Sequence, residues 1–486
     1  MPVGLMALGA YLPQRRLQRK VIAAAHSWFE PALTGLGQGE RTMASWDEDA
    51  ITLAVEAARA CLRHRDRAGV NALYIGSTSL PFLDRQNAAL AGEALGLRRD
   101  LQTFDLAGSR KAGTSALLAA FKAAEQGEQG LVVAADKRRT KAASTAEMNY
   151  GDGAAAMLVG DGECIAELVE THTVSVDFID HFRTAESEFD YQWEARWVRD
   201  EGLMKIVPEA VSAILGSADK DVGDIAHFCC PVGNSREQQA LARKIGIAAD
   251  ALVDNLHSNC GNTGAAHPLL MLVGALERAQ PGELILMVGF GQGCDTILLR
   301  TTAALMDQRA GAQGLQACLD NRLHEDNYFK FLAFNGLITM EHGIRAETDK
   351  NTGLTTAYRN RALTTSFIGG KCRDCGTPQI PAAPICVNPT CAAVDSQDEY
   401  PFADASAVLR SYTSDRLTYS PSPPAWYGMV QFQEGGRIMI DFTDVQAERG
   451  LEVGMPMRMV FRVRDYDHKR GFRRYYWKAA PVYSGE

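Results

Sequence analysis

Several features are scarce in this chain of 486 residues, and each scarcity excludes something. No uninterrupted apolar run approaches the roughly 18 to 20 residues needed to span a bilayer, which argues against a membrane partner or location. The start, Met1 to Ala10 with Arg15 and Arg16 only afterwards, does not follow the basic-then-apolar order of a secretory leader, so a cytoplasmic location is expected. Positive charge is the minority sign. The 50 Lys+Arg against 59 Asp+Glu give a net charge of -9, which argues against nucleic acid as a partner. Cysteine is unevenly distributed: the 11 residues fit reduced thiols and metal ligation better than a disulfide framework, and none lies between Cys61 and Cys164.

What is present is a folded composition, 46% hydrophobic and 22% charged, with length for about three domains. Residues 1–303 alternate short apolar runs with Ala-rich stretches. Leu73 to Gly76 and Gly130 to Ala135 read as buried strands, and Asp47 to Leu62 and Thr114 to Glu125 as amphipathic helices, which implies α/β layers. The stretch from Gly113 leading into Leu131-Val-Val-Ala-Ala135 has a weak counterpart from Gly264 leading into Leu284-Ile-Leu-Met-Val288. Two similar halves would set two helix N-termini at one cleft, where backbone N–H groups favour negative charge. Residues 304–366 read as a connector. Beyond it, five strands are expected at Ala407 to Thr413, Gly428 to Gln433, Ile438 to Phe442, Met457 to Val463 and Arg473 to Lys478, with a turn at Glu434-Gly435-Gly436. A small antiparallel barrel over 394–486 would close them.

Between connector and barrel, over 367–393, Cys372-x2-Cys375 and Cys386-x4-Cys391 can present four thiolates tetrahedrally. That set suits a structural Zn2+ in a ribbon, closed by its four sulfurs.

The loops of the body carry a family resemblance. Tyr11-Leu-Pro13, Glu48 to Ala58, Gly92 to Gly96, Lys111-Ala-Gly-Thr114, Gly151 to Ala156, Gly261-Asn-Thr-Gly264 and Gly289 to Gly293 resemble the thiolase superfamily. The nearest branches are 3-hydroxy-3-methylglutaryl-CoA synthases of archaeal type and β-ketoacyl-ACP synthase III. Residues 366–486 resemble the zinc-ribbon/OB-fold proteins that accompany such enzymes. The resemblance implies a duplicated five-layer α/β fold with a C-terminal zinc ribbon and OB-fold barrel, an acyl-CoA substrate, and a homodimer with the cleft near its interface.

In the family a nucleophilic Cys precedes a motif like Lys111–Thr114, and a His, an Asn and, in the synthase branch, a Glu complete the site. Asn262 matches the Asn. Arg110 holds the Cys position, Cys229 the His position within Phe228-Cys229-Cys230-Pro231, and Thr78 the Glu position. A guanidinium cannot accept an acyl group, so the acyl-enzyme route through that position is closed. Arg110 at a helix start could instead bind a thioester carbonyl, an enolate or a carboxylate, or form a structural ion pair. Cys229 reads either as a base or nucleophile or as a buried neutral thiol. The resemblance also implies an oxyanion site around Gly291, Gln292 and Gly293.

Two histidines, His257 and His267, read as packing residues, and 177–201 as a cap over the acyl pocket or, through its aromatics, an interface core. Lys137, Arg138, Arg139 and Lys141 read as CoA-phosphate contacts or a solvated loop. The expected activity is making or breaking a carbon-carbon bond β to a CoA thioester, by retro-aldol of a 3-hydroxyacyl-CoA or hydrolytic retro-Claisen of a 3-oxoacyl-CoA. The alternatives are an acyltransferase using Cys229 and a non-catalytic acyl-CoA-binding scaffold.

Overall fold

The computed structural model describes residues 2–309, 314–344 and 353–483. Parts of the expected connector, 310–313 and 345–352, and the last three residues of the expected barrel lie outside the described residues. The chain divides into two compact units, one of Met1–Ser45, Asp49–Gly92 and Leu97–Asn335, the other of Trp46–Glu48, Glu93–Gly96 and Gly336–Glu486.

The first unit is organised on nine strands: β1 Gly4–Tyr11, β2 Ala72–Gly76, β3 Gln102–Leu106, β4 Gly130–Asp136, β5 Gly153–Gly160, β6 Ala166–Ser175, β7 Ile225–Cys229, β8 Leu284–Phe290 and β9 Gly293–Thr301. Their order is β7-β8-β9-β6-β1-β5-β4-β2-β3. The halves repeat. In the first, β4 pairs parallel with β2 and antiparallel with β5, and β5 pairs antiparallel with β1. In the second, β8 pairs parallel with β7 and antiparallel with β9, and β9 pairs antiparallel with β6. Even the edge strand β3 has a remnant partner in a parallel bridge from Phe228 to Leu252. In the sheet the halves are joined where Gly4 and Leu5 of β1 face Glu167 and Ala166 of β6.

Four helices complete the layers. Nearly every residue of α1, Ala50–Cys61, is buried; it is started by the Asp49 carboxylate, which accepts from the Ile51 and Thr52 N–H groups at 3.1 Å each. It packs on β1, β5 and β4. Helices α2, Ala112–Ala124, and α4, His267–Leu276, touch each other and pack on strands of both halves, sharing one core with Leu117, Phe121, Leu269 and Met271. Helix α3, Met204–Ser217, covers β9 and β6 from the far side around a second core. Strands such as β4, buried along all seven residues, need helices on both faces, and receive them. This is the duplicated, layered thiolase-like fold.

In the second unit, Ile368–Cys372 lies between Pro378–Gln379 and Gln397–Pro401, and carries the cysteine cluster. The ribbon sheet therefore takes a strand from beyond residue 393. The five remaining strands run Arg437–Asp441, Ala425–Phe432, Ala407–Asp415, Pro456–Asp467 and Phe472–Pro481 in spatial order. A bridge from Phe442 to Ala479 draws the two ends together, so the sheet closes as an OB-like barrel. Its core is aromatic: Trp477, Phe461, Phe432, Phe402 and Phe367 are fully buried. Within this unit the buried Asp47 carboxylate accepts from Lys478 Nζ at 2.7 Å and from Thr443 Oγ1 at 3.0 Å.

Candidate active site

Strand ends and helix starts build the site in the first unit. A Cβ on Gly113 would run into the carbonyl oxygen of Ala265, so the starts of α2 and α4 touch backbone to backbone, and only glycine allows it. Behind each start stands a buried carboxylate from the other half. Asp295, on β9, accepts from Lys111 Nζ (2.9 Å), Ser115 Oγ (2.8 Å), Thr114 Oγ1 (3.0 Å) and Thr173 Oγ1 (3.1 Å). Asp136, ending β4, accepts from the Ala265 N–H (2.7 Å) ahead of α4. It also takes the Ser77 and Ser79 hydroxyls and both the N–H and the hydroxyl of Thr78, at 2.7 to 3.0 Å. Thr78 thus holds Asp136 with its side chain.

Arg110 stands just ahead of α2. Its Nη2 donates to the Tyr150 hydroxyl at 3.1 Å, its Nη1 lies 3.7 Å from Asp180 Oδ2, and 23% of the side chain is exposed. A Cβ on Gly291 would sit 3.0 Å from Arg110 Cβ, so the 291–293 loop lies against it. In that loop Gln292 (φ +57°) and Gly293 (φ +118°) take left-handed conformations, the Gly291 N–H donates to the Gly293 carbonyl, and Gln292 Nε2 donates to the His181 carbonyl at 3.0 Å.

Asn262 is fixed from several directions. Its Oδ1 accepts from the Gly264 N–H and from Arg138 Nη2, both at 2.9 Å, and its carbonyl accepts from the same Arg138 nitrogen at 2.7 Å. The loop is anchored by His267, whose Nδ1 accepts from the Thr263 N–H (3.1 Å) while Nε2 donates to the Asn255 carbonyl (3.0 Å). Burial lowers the His267 pKa to about 4, and the acceptor role of Nδ1 requires the same neutral form. His257 is likewise pushed down by burial to about 4.

Tyr150 joins the two sides. It pairs with Asn262 in a backbone bridge, and its hydroxyl accepts from Arg110 and from Gln192 Nε2 (2.8 Å) while donating to Asp190 Oδ2 (3.1 Å). The Arg138 guanidinium lies 3.5 Å from the Tyr150 ring centre. Asp180, Asp190 and Gln192 come from the short hairpin pairing His181–Phe182 with Tyr191–Gln192, inside the segment expected as a cap. Burial works against ionising Asp180, yet His181 and Arg110 hold its carboxyl below the usual range, and burial with Arg110 lowers the His181 pKa.

The structure therefore brings Arg110, Asn262 and the Gly291–Gln292–Gly293 loop together around Tyr150. Cys229 lies fully buried in the central core, where desolvation pushes its thiol well above the usual range. Arg138 departs from the solvated-loop reading of its basic stretch: it is 2% exposed, because it follows the buried strand β4 inward instead of turning to solvent. Tyr150, Asp136, Asp180 and Asp190 were missed. Tyr150 immediately precedes the Gly151 to Ala156 motif, which is the one signal that marked its neighbourhood. A cavity of about 530 Å³ lies elsewhere in the unit, lined by Leu8, Cys61, His64, Leu276 and Leu305.

In the second unit the sulfurs of Cys372, Cys375, Cys386 and Cys391 all lie within 4.8 Å of one another. Cys372 and Cys391 are 3.9 Å apart, Cys375 and Cys386 3.6 Å. A tetrahedron of thiolates with metal bonds of about 2.3 Å has edges of about 3.8 Å, so the four residues fit a thiophilic cation.

Fold and site define a thiolase-like condensing-enzyme body joined to an OB-fold module. Residues 215–299 match the family described as 3-oxoacyl-[acyl-carrier-protein] synthase III C terminal, and residues 401–462 match ChsH2, C-terminal OB-fold domain. The chain is 31% identical over 320 residues to a hydroxymethylglutaryl-CoA synthase of Archaeoglobus fulgidus, covering 62% of this chain and 90% of that protein. It is 28% identical over 346 residues to that of Methanobrevibacter smithii, covering 70% and 100%. The chain belongs to the hydroxymethylglutaryl-CoA synthase family. An HMG-CoA synthase solved in complex with CoA shares its fold with a TM-score of 0.61 at 18% identity, covering 73% of this chain and 96% of that one. A 3-oxoacyl-(acyl carrier protein) synthase III from Pseudomonas aeruginosa gives 0.56 at 22%, covering 62% and 99%. No helix among the described residues is long and apolar enough to cross a membrane.

Proposed function

We propose that this chain, an HMG-CoA synthase-like enzyme, acts on acyl-CoA thioesters and makes or breaks the carbon-carbon bond at the β-position without an acyl-enzyme at the usual position. The observation that carries the reading is Arg110 at the head of α2, against the Gly291 loop and joined through Tyr150 to Asn262. A guanidinium there stabilises negative charge on a thioester oxygen and cannot form a thioester itself.

Retro-aldol cleavage of a 3-hydroxyacyl-CoA uses what these residues offer. The 3-hydroxyl loses its proton, the C2–C3 bond breaks, its electron pair becomes the thioester enolate facing Arg110, and C2 takes a proton. The products are a carbonyl compound and a shortened acyl-CoA; condensation is the reverse. The hydroxyl proton has a path through Tyr150, whose O–H already points to Asp190, when the substrate oxygen takes the place of the Gln192 amide. Asn262 Nδ2, which makes no hydrogen bond among the described residues, is placed to hold a substrate carbonyl. The four-cysteine cluster holds Zn2+ in this reading, and its role is to fix the ribbon.

The test is turnover of a panel of 3-hydroxy- and 3-oxoacyl-CoA esters, with intact-mass analysis of the protein after incubation. Carbon-carbon cleavage or condensation without acyl adduct supports the reading. An adduct on a cysteine would favour the acyltransferase instead, and absence of turnover across the panel would sink it.

A further inference from the structure

The cavity of about 530 Å³ sits at the end of α4 that points away from the cleft. Leu276, the last residue of α4, lines it together with Leu8 of β1, Cys61 at the end of α1 and Leu305 of the helix Ala304–Arg309. The ten residues of α4 set it about 15 Å from the Asn262 loop, and Arg110, Tyr150 and the Gly291 loop take no part in its walls. Its floor is apolar and belongs to the central core: Leu8, Leu276 and Leu305 are at most 8% exposed. Its rim is charged. Arg63 and Arg65, just beyond α1, and Arg278, just beyond α4, stand with Glu277 and Asp307 around the opening. Glu277 already accepts from the Gln316 N–H at 3.2 Å, and Arg65 Nη2 donates to the Met6 carbonyl at 2.7 Å, whereas Arg63 and Arg278 are exposed at the mouth.

A smaller cavity of about 320 Å³ sharpens the contrast. It shares Glu277, Arg278 and Gln316 with the first but adds Asp254 and Asp320 against Arg322, so carboxylates outnumber guanidiniums there. Around the larger cavity the balance is reversed, in a chain whose net charge is -9. Small-molecule sites are concave and mostly apolar, about 300–1,000 Å³ in volume, with a few polar groups that fix orientation. A buried apolar floor under a mouth of guanidiniums fits a ligand with the same two halves, an apolar chain and an anionic head. We propose that this cavity is a binding site for a single-chain anionic amphiphile, separate from the cleft. The floor takes the chain, and Arg63, Arg65 and Arg278 take the head. A guanidinium fork suits a carboxylate and a phosphate monoester alike, so a free fatty acid and an alkyl phosphate share the chemistry, and the experiment separates them.

Calorimetric titration of the full chain with decanoate, decyl phosphate and decanol compares two anionic heads with a neutral one on the same chain. Wild type binds decanoate, decyl phosphate or both at least about tenfold more tightly than decanol, as charge-assisted hydrogen bonds provide, and the tighter of the two identifies the head. Arg63→Gln/Arg278→Gln brings the anions down toward decanol. Ala60→Trp, at a half-buried wall position, fills the cavity and weakens all three ligands at least about tenfold. Arg110→Ala leaves every affinity within about twofold, because it alters the cleft. Thermal melts establish that each variant is folded, and the double variant, at two exposed positions, carries the test if Ala60→Trp does not fold. Decanol binding as tightly as both anions overturns the proposal, as does failure of all three to bind. Binding that survives Ala60→Trp and is lost in Arg110→Ala places the ligand in the cleft and also overturns it. None of these outcomes bears on turnover of acyl-CoA, so the two readings stand or fall separately.

Discussion

The starts of α2 and α4 occupy equivalent places in the two halves and meet backbone to backbone, yet one ends in a loosely paired guanidinium and the other in an amide held by a web of hydrogen bonds. Ahead of α2, Arg110 is partly exposed and loosely paired; ahead of α4, Asn262 is held by Arg138, Gly264 and the His267-anchored loop. Their bracing is nonetheless reciprocal, since Asp295 of the second half secures the first start and Asp136 of the first half secures the second. The difference teaches that two starts braced alike carry different groups, and in the proposed reading Arg110 is the one that faces substrate. A decayed site would be expected to lose its braces along with its nucleophile.

The largest effects should come from those braces. Asp136→Ala and Asp295→Ala each leave several buried donors without an acceptor and are expected to cost about 3–5 kcal/mol in urea unfolding. Because the two helix starts touch, the double variant should depart from additivity by about 1 kcal/mol or more. A carboxylate that could be removed at no cost would break the reciprocity.

Next is the contrast between the starts themselves. Arg110→Ala should lower turnover of a responsive acyl-CoA by about 10²–10³, the scale of losing a preorganised charge stabiliser, with little change in melting temperature. Asn262→Ala should lower both, because its Oδ1 anchors Arg138 and the Gly264 N–H. Equal melting shifts for the two would erase the distinction between a presented group and a structural one.

The α4 side carries a pH dependence through His267. His267 titrates near 6.5 when unfolded and near 4 in the fold, so between those values the unfolded chain binds more protons. The stability it contributes is fully present above about pH 6.5 and is lost as pH falls toward 4, up to about 3 kcal/mol in all. His267→Gln, followed by chemical denaturation across that range, should flatten its share of the slope; His257, held down to about 4 as well, retains the rest. An unchanged slope would mean that the Nδ1 acceptor role is not what fixes this loop.

Much of the fold could be read from residue patterns because local signals agreed with the layers. Gly130 to Ala135 and the five barrel strands fell within a few residues of the observed elements, and the paired cysteine spacings anticipated a cluster that closes to within 4.8 Å. At the site, position told more than chemistry. The motif loops located Arg110, Asn262 and Gly291 to Gly293, but Tyr150 gave no periodic signal, and its role arises from a bridge to Asn262, 112 residues later in sequence. Arg138 misled because a run of four basic residues after a strand suggests solvent, whereas the direction in which a strand end turns is set by tertiary packing. Asp136 and Asp295 were silent for the same reason: a carboxylate inside an apolar run has meaning only once its donors from other elements are known.

The smallest expected effect concerns whether the missing nucleophile was replaced from the second half. Cys229 ends β7, is fully buried, and has its thiol pushed well above the usual range by desolvation alone, with no cation among the causes. A thiolate is the reactive form, and nothing around this sulfur favours it. Arg110, the group that could have done so, is turned to Tyr150 and Asp180. Cys229→Ser should therefore leave turnover within about twofold and cost about 1–2 kcal/mol of stability, for a hydroxyl buried without an assured partner. In the native protein Cys229 should stay unalkylated by iodoacetamide under conditions that label the exposed Cys375 in metal-free chain. Rapid labelling of Cys229 together with loss of turnover in the serine variant would show that the nucleophile had moved across the cleft. The two helix starts would then differ in where the acyl group is carried and not in whether it is carried at all.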